Sequence, residues 1–332
     1  MLYQQELKVA LDVVKKASRL CCKVQKSLVD IKPIKKEDRS PVTIADFGSQ
    51  AVINLEIIQS FPGDQIVGEE DADLVRDNAD IRRQVVGLVN EQIDNSKESR
   101  VLEAIDFGVR QTDFTQRFWT VDPVDGTKGF LRGEQYAIAL ALVENGKVML
   151  GVLGCPNYSM ELKESDDKIG YVFYAVKGEG AFVRSLDESF EQRVSVDSVL
   201  DVKEARICES VERAHVLHDA HGHISAALGI TSPPYRMDSQ AKYVVVASGS
   251  ASIYLRLPGT KGYQEKIWDH AAGSIILNES GGQVTDFRGK SLDFSRGNTL
   301  ENNVGILATN GHLHQEVLRA ISDVRRHKTG TS

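Results

Sequence analysis

Near the N-terminus apolar side chains recur at helical spacing: Leu7, Ala10, Leu11, Val14, Ala17, Cys21, Val24 and Leu28. They line one face of a 3.6-residue period, which predicts a long amphipathic helix from about Tyr3. A polar connector, Asp30 to Ser40, carries Lys32, Lys35, Lys36, Glu37, Asp38 and Arg39 and reads as a solvated loop. Ser40 to Ile44 is a proline-led extended segment, after which Asp46 opens a helix through Val52 and Ile57, stopped by Phe61-Pro62-Gly63. The pattern then shortens to strands. Gln65-Ile66-Val67 and Phe118 to Val121 read as short buried strands, and residues 71 to 117 between them carry no motif. Ala137 to Val143 and Val148 to Leu153 form a hairpin, as do Tyr171 to Val176 and Ala181 to Val183. No helix follows Gly178 and Gly180, so these are turn residues and not a dinucleotide fingerprint.

The polar stretch Ser185 to Asp201 joins two halves. Beyond it, strands near Ala205, Ile253 and Val304 alternate with helices near Ile224, Lys242, Ala271 and His314, and the tail from Arg325 reads as frayed. The expected class is α+β passing into α/β, with two lobes, 1–198 and 199–332. A chain of 332 residues can bury a large core. A net charge of −7 removes the basic face that nucleic-acid polymers require, and no apolar run reaches membrane-spanning length. Without a secretory or Arg- and Ser-rich leader the chain reads as cytoplasmic, although a processed precursor would look the same, and a monomer is the expected state. Cys21, Cys22, Cys155 and Cys208 have no ligand spacing and read as reduced core thiols rather than a structural disulfide. His221, His223, His312 and His314 read as solvent-facing.

The chemistry concentrates in DPVDGT, Asp122 to Thr127, where two carboxylates follow a buried strand in a turn set by proline and glycine. Close buried carboxylates repel, and a divalent cation relieves them; an oxygen-only ligand set favours Mg²⁺ over zinc. Thr127 adds a hydroxyl, and the backbone after Gly126 offers N–H groups to a phosphate. Alone, the hexapeptide is better read as a turn set by Pro123, Asp125 and Gly126 with solvated acids. Three neighbours change that reading: Gly68-Glu69-Glu70-Asp71 at another strand end, Asp46 after its extended segment, and Asp269 in Trp268-Asp269-His270-Ala271-Ala272-Gly273. Taken singly, Asp269 would be the N-cap or a first-turn residue of the helix that follows.

In this order, GEED, DPVDGT and WDHAAG resemble the metal-site signature of the inositol monophosphatase and fructose bisphosphatase superfamily. DPVDGTKGF from Asp122, DSQAKY from Asp238, YLRLP from Tyr254 and YQEKIWDHAAG from Tyr263 resemble the 3′(2′),5′-bisphosphate nucleotidases. The resemblance implies a layered αβαβα sandwich with the metal site between two lobes. It implies two to three Mg²⁺ ions, one held by Glu69, Asp122 and the Val124 carbonyl, a second by Asp122, Asp125 and Asp269. Asp46 and Thr127 then resemble the pair that activates the attacking water, and Gly126, Thr127, His215, Ser239, Lys242, Arg256 and Asp269 the substrate contacts. The implied reaction removes the 3′-phosphate of adenosine 3′,5′-bisphosphate, possible action on the sulfated nucleotide being left open, with sensitivity to lithium. The rivals are an inositol polyphosphate 1-phosphatase and a non-catalytic nucleotide sensor. Lys242 and Arg256 disfavour a single-phosphate polyol, though ordinary ion pairing is the plain alternative for both. His218, three residues beyond His215, has no assigned role.

Overall fold

The computed structural model describes residues 2–27, 34–35, 41–160, 170–211, 215–258 and 263–329. Leu28 and most of the charged connector, including Lys32 and Lys36 to Arg39, lie outside the described residues. Helix α1 is Gln4–Lys26 and buries the predicted stripe, including Ala10, Val14, Ala17, Cys21 and Val24. A two-residue pair, β1 Ile34–Lys35 with β2 Pro41–Val42, leads to α2, Ile44–Ser60. Next come β3 Gln65–Gly68, α3 Asp73–Asp77, α4 Ala79–Asn90 and α5 Glu98–Phe107. The stretch without motifs is thus largely helical. Its helices cover α2, which is buried on nearly every side.

A large sheet follows from β4 Phe118–Asp125, with α6 Thr127–Leu131 after it, then β5 Ala137–Glu144, β6 Lys147–Cys155, β7 Tyr171–Val176, β8 Gly180–Ser185 and β9 Glu191–Arg193. Its seven strands run in the order β3-β4-β5-β6-β7-β8-β9. Only β3 and β4 are parallel neighbours; each later pair is antiparallel. The second half supplies β10 Ile207–Glu209, α7 His215–Leu228, β11 Tyr235–Arg236, α8 Ala241–Ala247, β12 Ile253–Arg256, α9 Ala271–Glu279, β13 Gln283–Thr285, β14 Ile306–Thr309 and α10 His314–Thr329. Its five-stranded sheet has the order β11-β10-β12-β14-β13.

Three apolar layers hold these elements in the expected αβαβα arrangement. One joins α1 and α2 to the large sheet, a second packs α8 and α9 between the sheets, and a third sets α7 and α10 against the small sheet. Strand β5 explains the spacing. It turns Ile138, Leu140 and Leu142 toward α1 and α2, and Ala137, Ala139 and Ala141 toward α9. Strand residues alternate faces, so small side chains on one face admit a helix closely. Gly151 of β6 continues that shallow face: a Cβ there would lie 2.5 Å from Ile275 Cγ2 and 2.9 Å from the Ala272 carbonyl oxygen.

Several expectations change. The polar stretch 185–201 contains β9 and is tied down, Val196 N–H donating to the Ser280 carbonyl at 3.1 Å. Helix α10 continues to Thr329 where fraying was expected, because Val317 and Ile321 are buried against the small sheet. His314 is buried and not solvent-facing: its Nε2 lies 2.8 Å from Thr285 Oγ1 and its Nδ1 3.0 Å from Thr309 Oγ1. His221 is half-buried, with its Nδ1 3.8 Å from Glu209 Oε2. The four cysteines are free; Cys21, Cys155 and Cys208 are buried, and burial raises every thiol above its ordinary range. No helix among the described residues is long and apolar enough to cross a membrane.

Candidate active site

Parallel pairing of β3 with β4 starts the site. The register sets Gly68 beside Val121, which brings Glu69, just past the end of β3, next to Asp122 within β4. Between Asp122 and Asp125 the β4–β5 pairing shifts register, and such a bulge re-aims the side chains it carries. Pro123 cannot donate to the ladder; its carbonyl instead accepts from Ser49 Oγ of α2 at 3.0 Å. Gly126 then adopts φ 87° and caps α6, a conformation that suits glycine. The Thr127 hydroxyl donates to the Val124 carbonyl at 3.2 Å, leaving that oxygen a second lone pair.

Asp46 stands in the first turn of α2. Its Oδ2 accepts from the Thr43 N–H at 2.8 Å and from Thr43 Oγ1 at 2.7 Å, a capping box that orients the carboxylate. Asp269 ends a 3₁₀ turn, Ile267–Asp269, while His270 is the N-cap of α9. The capping explanation for Asp269 therefore fails. Its Oδ2 lies 3.6 Å from Arg256 Nη2.

Electrostatics bind these groups together. Burial, and then the charges of Glu69, Asp125, Asp269 and Asp46, push the Asp122 carboxyl well above the ordinary carboxylate range. Burial also raises Asp269 strongly, against the pull of Arg256, with Asp125 and Glu69 adding to the rise. Burial raises Asp125 too, opposed by Lys242, by the Gln240 N–H at 2.5 Å from Oδ2, and by Arg256. Lys242 is 3 % exposed and its ammonium is lowered by burial, which Asp125 resists. Acids from β4 and the 3₁₀ turn thus share one field with cations from α8 and β12.

This arrangement suits a hard cation. Asp122 Oδ1 is buried with no hydrogen-bond partner, an orphan that costs free energy unless a cation meets it. Glu69 is exposed, on the open side of the group, whereas Glu70 is buried and Asp71 accepts from the Asp73 N–H. Among the described residues, the trio whose ligand atoms all lie within 4.8 Å of one another is Glu265, Asp269 and His270. It is already committed. Arg256 Nε lies 2.6 Å from Glu265 Oε2, and both nitrogens of His270 are engaged, Nδ1 with Tyr243 Oη at 2.8 Å and Nε2 with Glu265 Oε2 at 3.2 Å.

Residues of the second half close on the acids. Ser239 has φ 67°, a left-handed conformation rare for serine and frequent at functional sites. A Cβ on Gly126 would lie 3.0 Å from the Ser239 Cβ, so the two loops touch. Arg132 pairs with Asp238 just before it. Helix α7 begins at His215, but the side chains of His215 and His218 lie outside the described residues.

Sequence reasoning missed the polar side chains that hold this frame. Gln50 Nε2 donates to the Glu70 carbonyl at 2.6 Å while its Oε1 accepts the Glu70 N–H at 3.0 Å, fixing the GEED segment. Gln240 donates through Nε2 to the Trp268 carbonyl at 2.7 Å and accepts the Gly273 N–H at 3.1 Å, joining Asp125 to α9. The available signal was polar residues inside otherwise apolar stretches, as in Phe47 to Ile53.

Residues 2–326 match the inositol monophosphatase family. The chain belongs to that family, which is metal-dependent, generally on Mg²⁺. The fold is shared with the IMPase of Thermotoga maritima, at a TM-score of 0.67 and 23 % identity over 98 % of this chain and 99 % of that one. The inositol monophosphatase of Anabaena has a TM-score of 0.63 at 20 % identity, covering 97 % of each chain. Within the family, curated relatives carry the name 3′(2′),5′-bisphosphate nucleotidase. That of Oryza sativa is 46 % identical over 97 % of this chain and 94 % of its own length. That of Schizosaccharomyces pombe is 42 % identical over 98 % of this chain and 97 % of its own. One from Candida albicans is 41 % identical, with coverage of 98 % and 97 %.

Proposed function

We propose that the protein is a Mg²⁺-dependent 3′(2′),5′-bisphosphate nucleotidase, hydrolysing adenosine 3′,5′-bisphosphate to AMP and phosphate. The observation that carries this reading is the acid group around the unpartnered Asp122 oxygen with Lys242 and Arg256 set against it. The names of relatives at 41–46 % identity support the nucleotide as substrate. Residues 1–198 would form the lobe with most metal ligands, and 199–332 the lobe with the nucleotide contacts and Asp269.

In this reading Glu69, Asp122, Asp125, Asp269 and the Val124 carbonyl would hold two to three Mg²⁺ ions. Bound Mg²⁺ supplies charge neutralisation at phosphate and a lowered pKa for the attacking water. Asp46 and Thr127 orient that water and take its proton, the capping box holding Asp46 in one rotamer. The N–H groups after Gly126 face the transferred phosphate. Ser239, Lys242, Arg256 and His215 hold the nucleotide, Arg256 as a planar fork and Lys242 as a point charge. Water adds to phosphorus as the bond to the 3′-oxygen breaks, and that oxygen takes up a proton from solvent, so AMP and phosphate leave.

The test is a phosphate-release screen with Mg²⁺, with and without lithium. Adenosine 3′,5′-bisphosphate, its 5′-phosphosulfate analogue and inositol 1,4-bisphosphate are compared. Turnover of the adenosine bisphosphate well above the inositol compound, suppressed by lithium, is expected. Preference for the inositol compound would reassign the substrate, and tight nucleotide binding without phosphate release would mark a sensor.

A further inference from the structure

Tyr243, His270 and Glu265 form a buried polar chain that the hydrolytic reading leaves without a role. Tyr243 and His270 are fully buried and Glu265 is 9 % exposed. The phenol lies 2.8 Å from His270 Nδ1, His270 Nε2 lies 3.2 Å from Glu265 Oε2, and that same oxygen lies 2.6 Å from Arg256 Nε. Beyond Arg256 stands Asp269, 3.6 Å from Nη2. The hydrogens can run one way throughout: phenol to imidazole, imidazole to carboxylate, and guanidinium to that carboxylate.

The far end of the chain is anchored by packing. A Cβ on Gly273 would come 2.3 Å from Tyr243 Cδ2, so the ring lies directly against the α9 backbone. Tyr254 meets the same ring edge-on, with centroids 5.1 Å apart. Tyr243 therefore has little freedom, and it passes that restriction through His270 to Glu265. Arginine otherwise sits on a flexible stem. Fixing its Nε turns the plane of the fork and so aims its Nη edge, of which Nη2 also faces Asp269.

We propose that Tyr243, His270 and Glu265 are a positioning relay that aims Arg256 at the anionic nucleotide. The proposal rests on the nucleotidase reading for the identity of the ligand. Its test uses the full chain and adenosine 3′,5′-bisphosphate, measuring KM and kcat with Mg²⁺ and, by titration calorimetry, the Kd with Ca²⁺ replacing Mg²⁺. Glu265→Gln should raise KM and Kd about tenfold, the scale of a hydrogen bond to a charged group. Tyr243→Phe removes one oxygen and should raise both about threefold, by the scale of a neutral hydrogen bond, with kcat changed less. In an Arg256→Met background neither change should add a further rise, because residues acting through one group are not additive. Unchanged KM and Kd in both single variants would overturn the relay, as would losses that multiply with Arg256→Met. If the unaltered protein releases no phosphate, the hydrolytic reading has failed, and the Kd comparison still decides the relay.

Discussion

A carboxylate oxygen buried without a donor is an unusual thing for a protein to keep, and Asp122 Oδ1 is one. It sits in a field of like charge, since Glu69, Asp125, Asp269 and Asp46 all add to the rise that burial imposes on its carboxyl. Asp122→Asn or Asp46→Asn should lower Mg²⁺-dependent phosphate release by more than the roughly 10–100-fold cost of an outer-shell partner. Circular dichroism should stay native; full activity in either variant would remove the assigned role. These acids were legible because their chemistry is local, each closing a short apolar strand or opening a helix. Gln50, Gln240, His270 and Tyr243 were not. Each acts through a contact with a residue remote in sequence, and nothing beside it in the chain announces that partner.

Between elements, the decisive fit is α9 against the large sheet. Alanines of β5 and Gly151 of β6 make the hollow in which α9 lies, and the turn carrying Asp269 precedes that helix. Gly151→Ala would push a methyl into Ile275 and the Ala272 carbonyl, with overpacking expected to cost about 1–3 kcal/mol. Mg²⁺ affinity should fall with it, since Asp269 moves with the helix; urea unfolding and metal titration would measure both. The small sheet has its own pH dependence. Burial pushes His314 down to about 4, so the native state stays neutral while the unfolded chain takes a proton near its ordinary 6.5. Stability is therefore lost as pH falls from about 6.5 toward 4, by up to about 1.4 kcal/mol per pH unit for one group. In His314→Gln the slope between pH 7 and 5 should flatten, as read from urea midpoints. An unchanged slope would exclude His314 as the source.

At the scale of the whole molecule, the proposed cage draws on α2, the end of β3, the β4 bulge and the turn before α9, so cation binding there would depend on the entire fold. A ligand that binds only the folded state stabilises it, by about 2.7 kcal/mol at a hundredfold excess over Kd. Mg²⁺ should accordingly raise Tm, and a chelator should reverse the rise. Burial lifts Asp122, Asp125 and Asp269 above ordinary carboxylates, and a cation bound among them would favour their ionised forms. Binding should release protons and tighten with rising pH, seen by calorimetry in buffers of different ionisation heat. An uptake of protons would contradict the raised carboxyls.

The residue order alone determined the α1 stripe, the two hairpins, the strand-end acids and the family they resemble, because each depends on periodicity or chemistry within a few neighbours. It could not disclose the helices of 71–117, the inclusion of β9 in the sheet or the burial of His314, which follow from surfaces contributed by distant segments. Only the tertiary structure decided that Asp269 is no helix cap, that Gln240 joins the two halves and that Arg256 has a partner in Glu265. The physical reason is common to all three: burial and partner choice belong to the packed layers, and no local stretch of chain carries them.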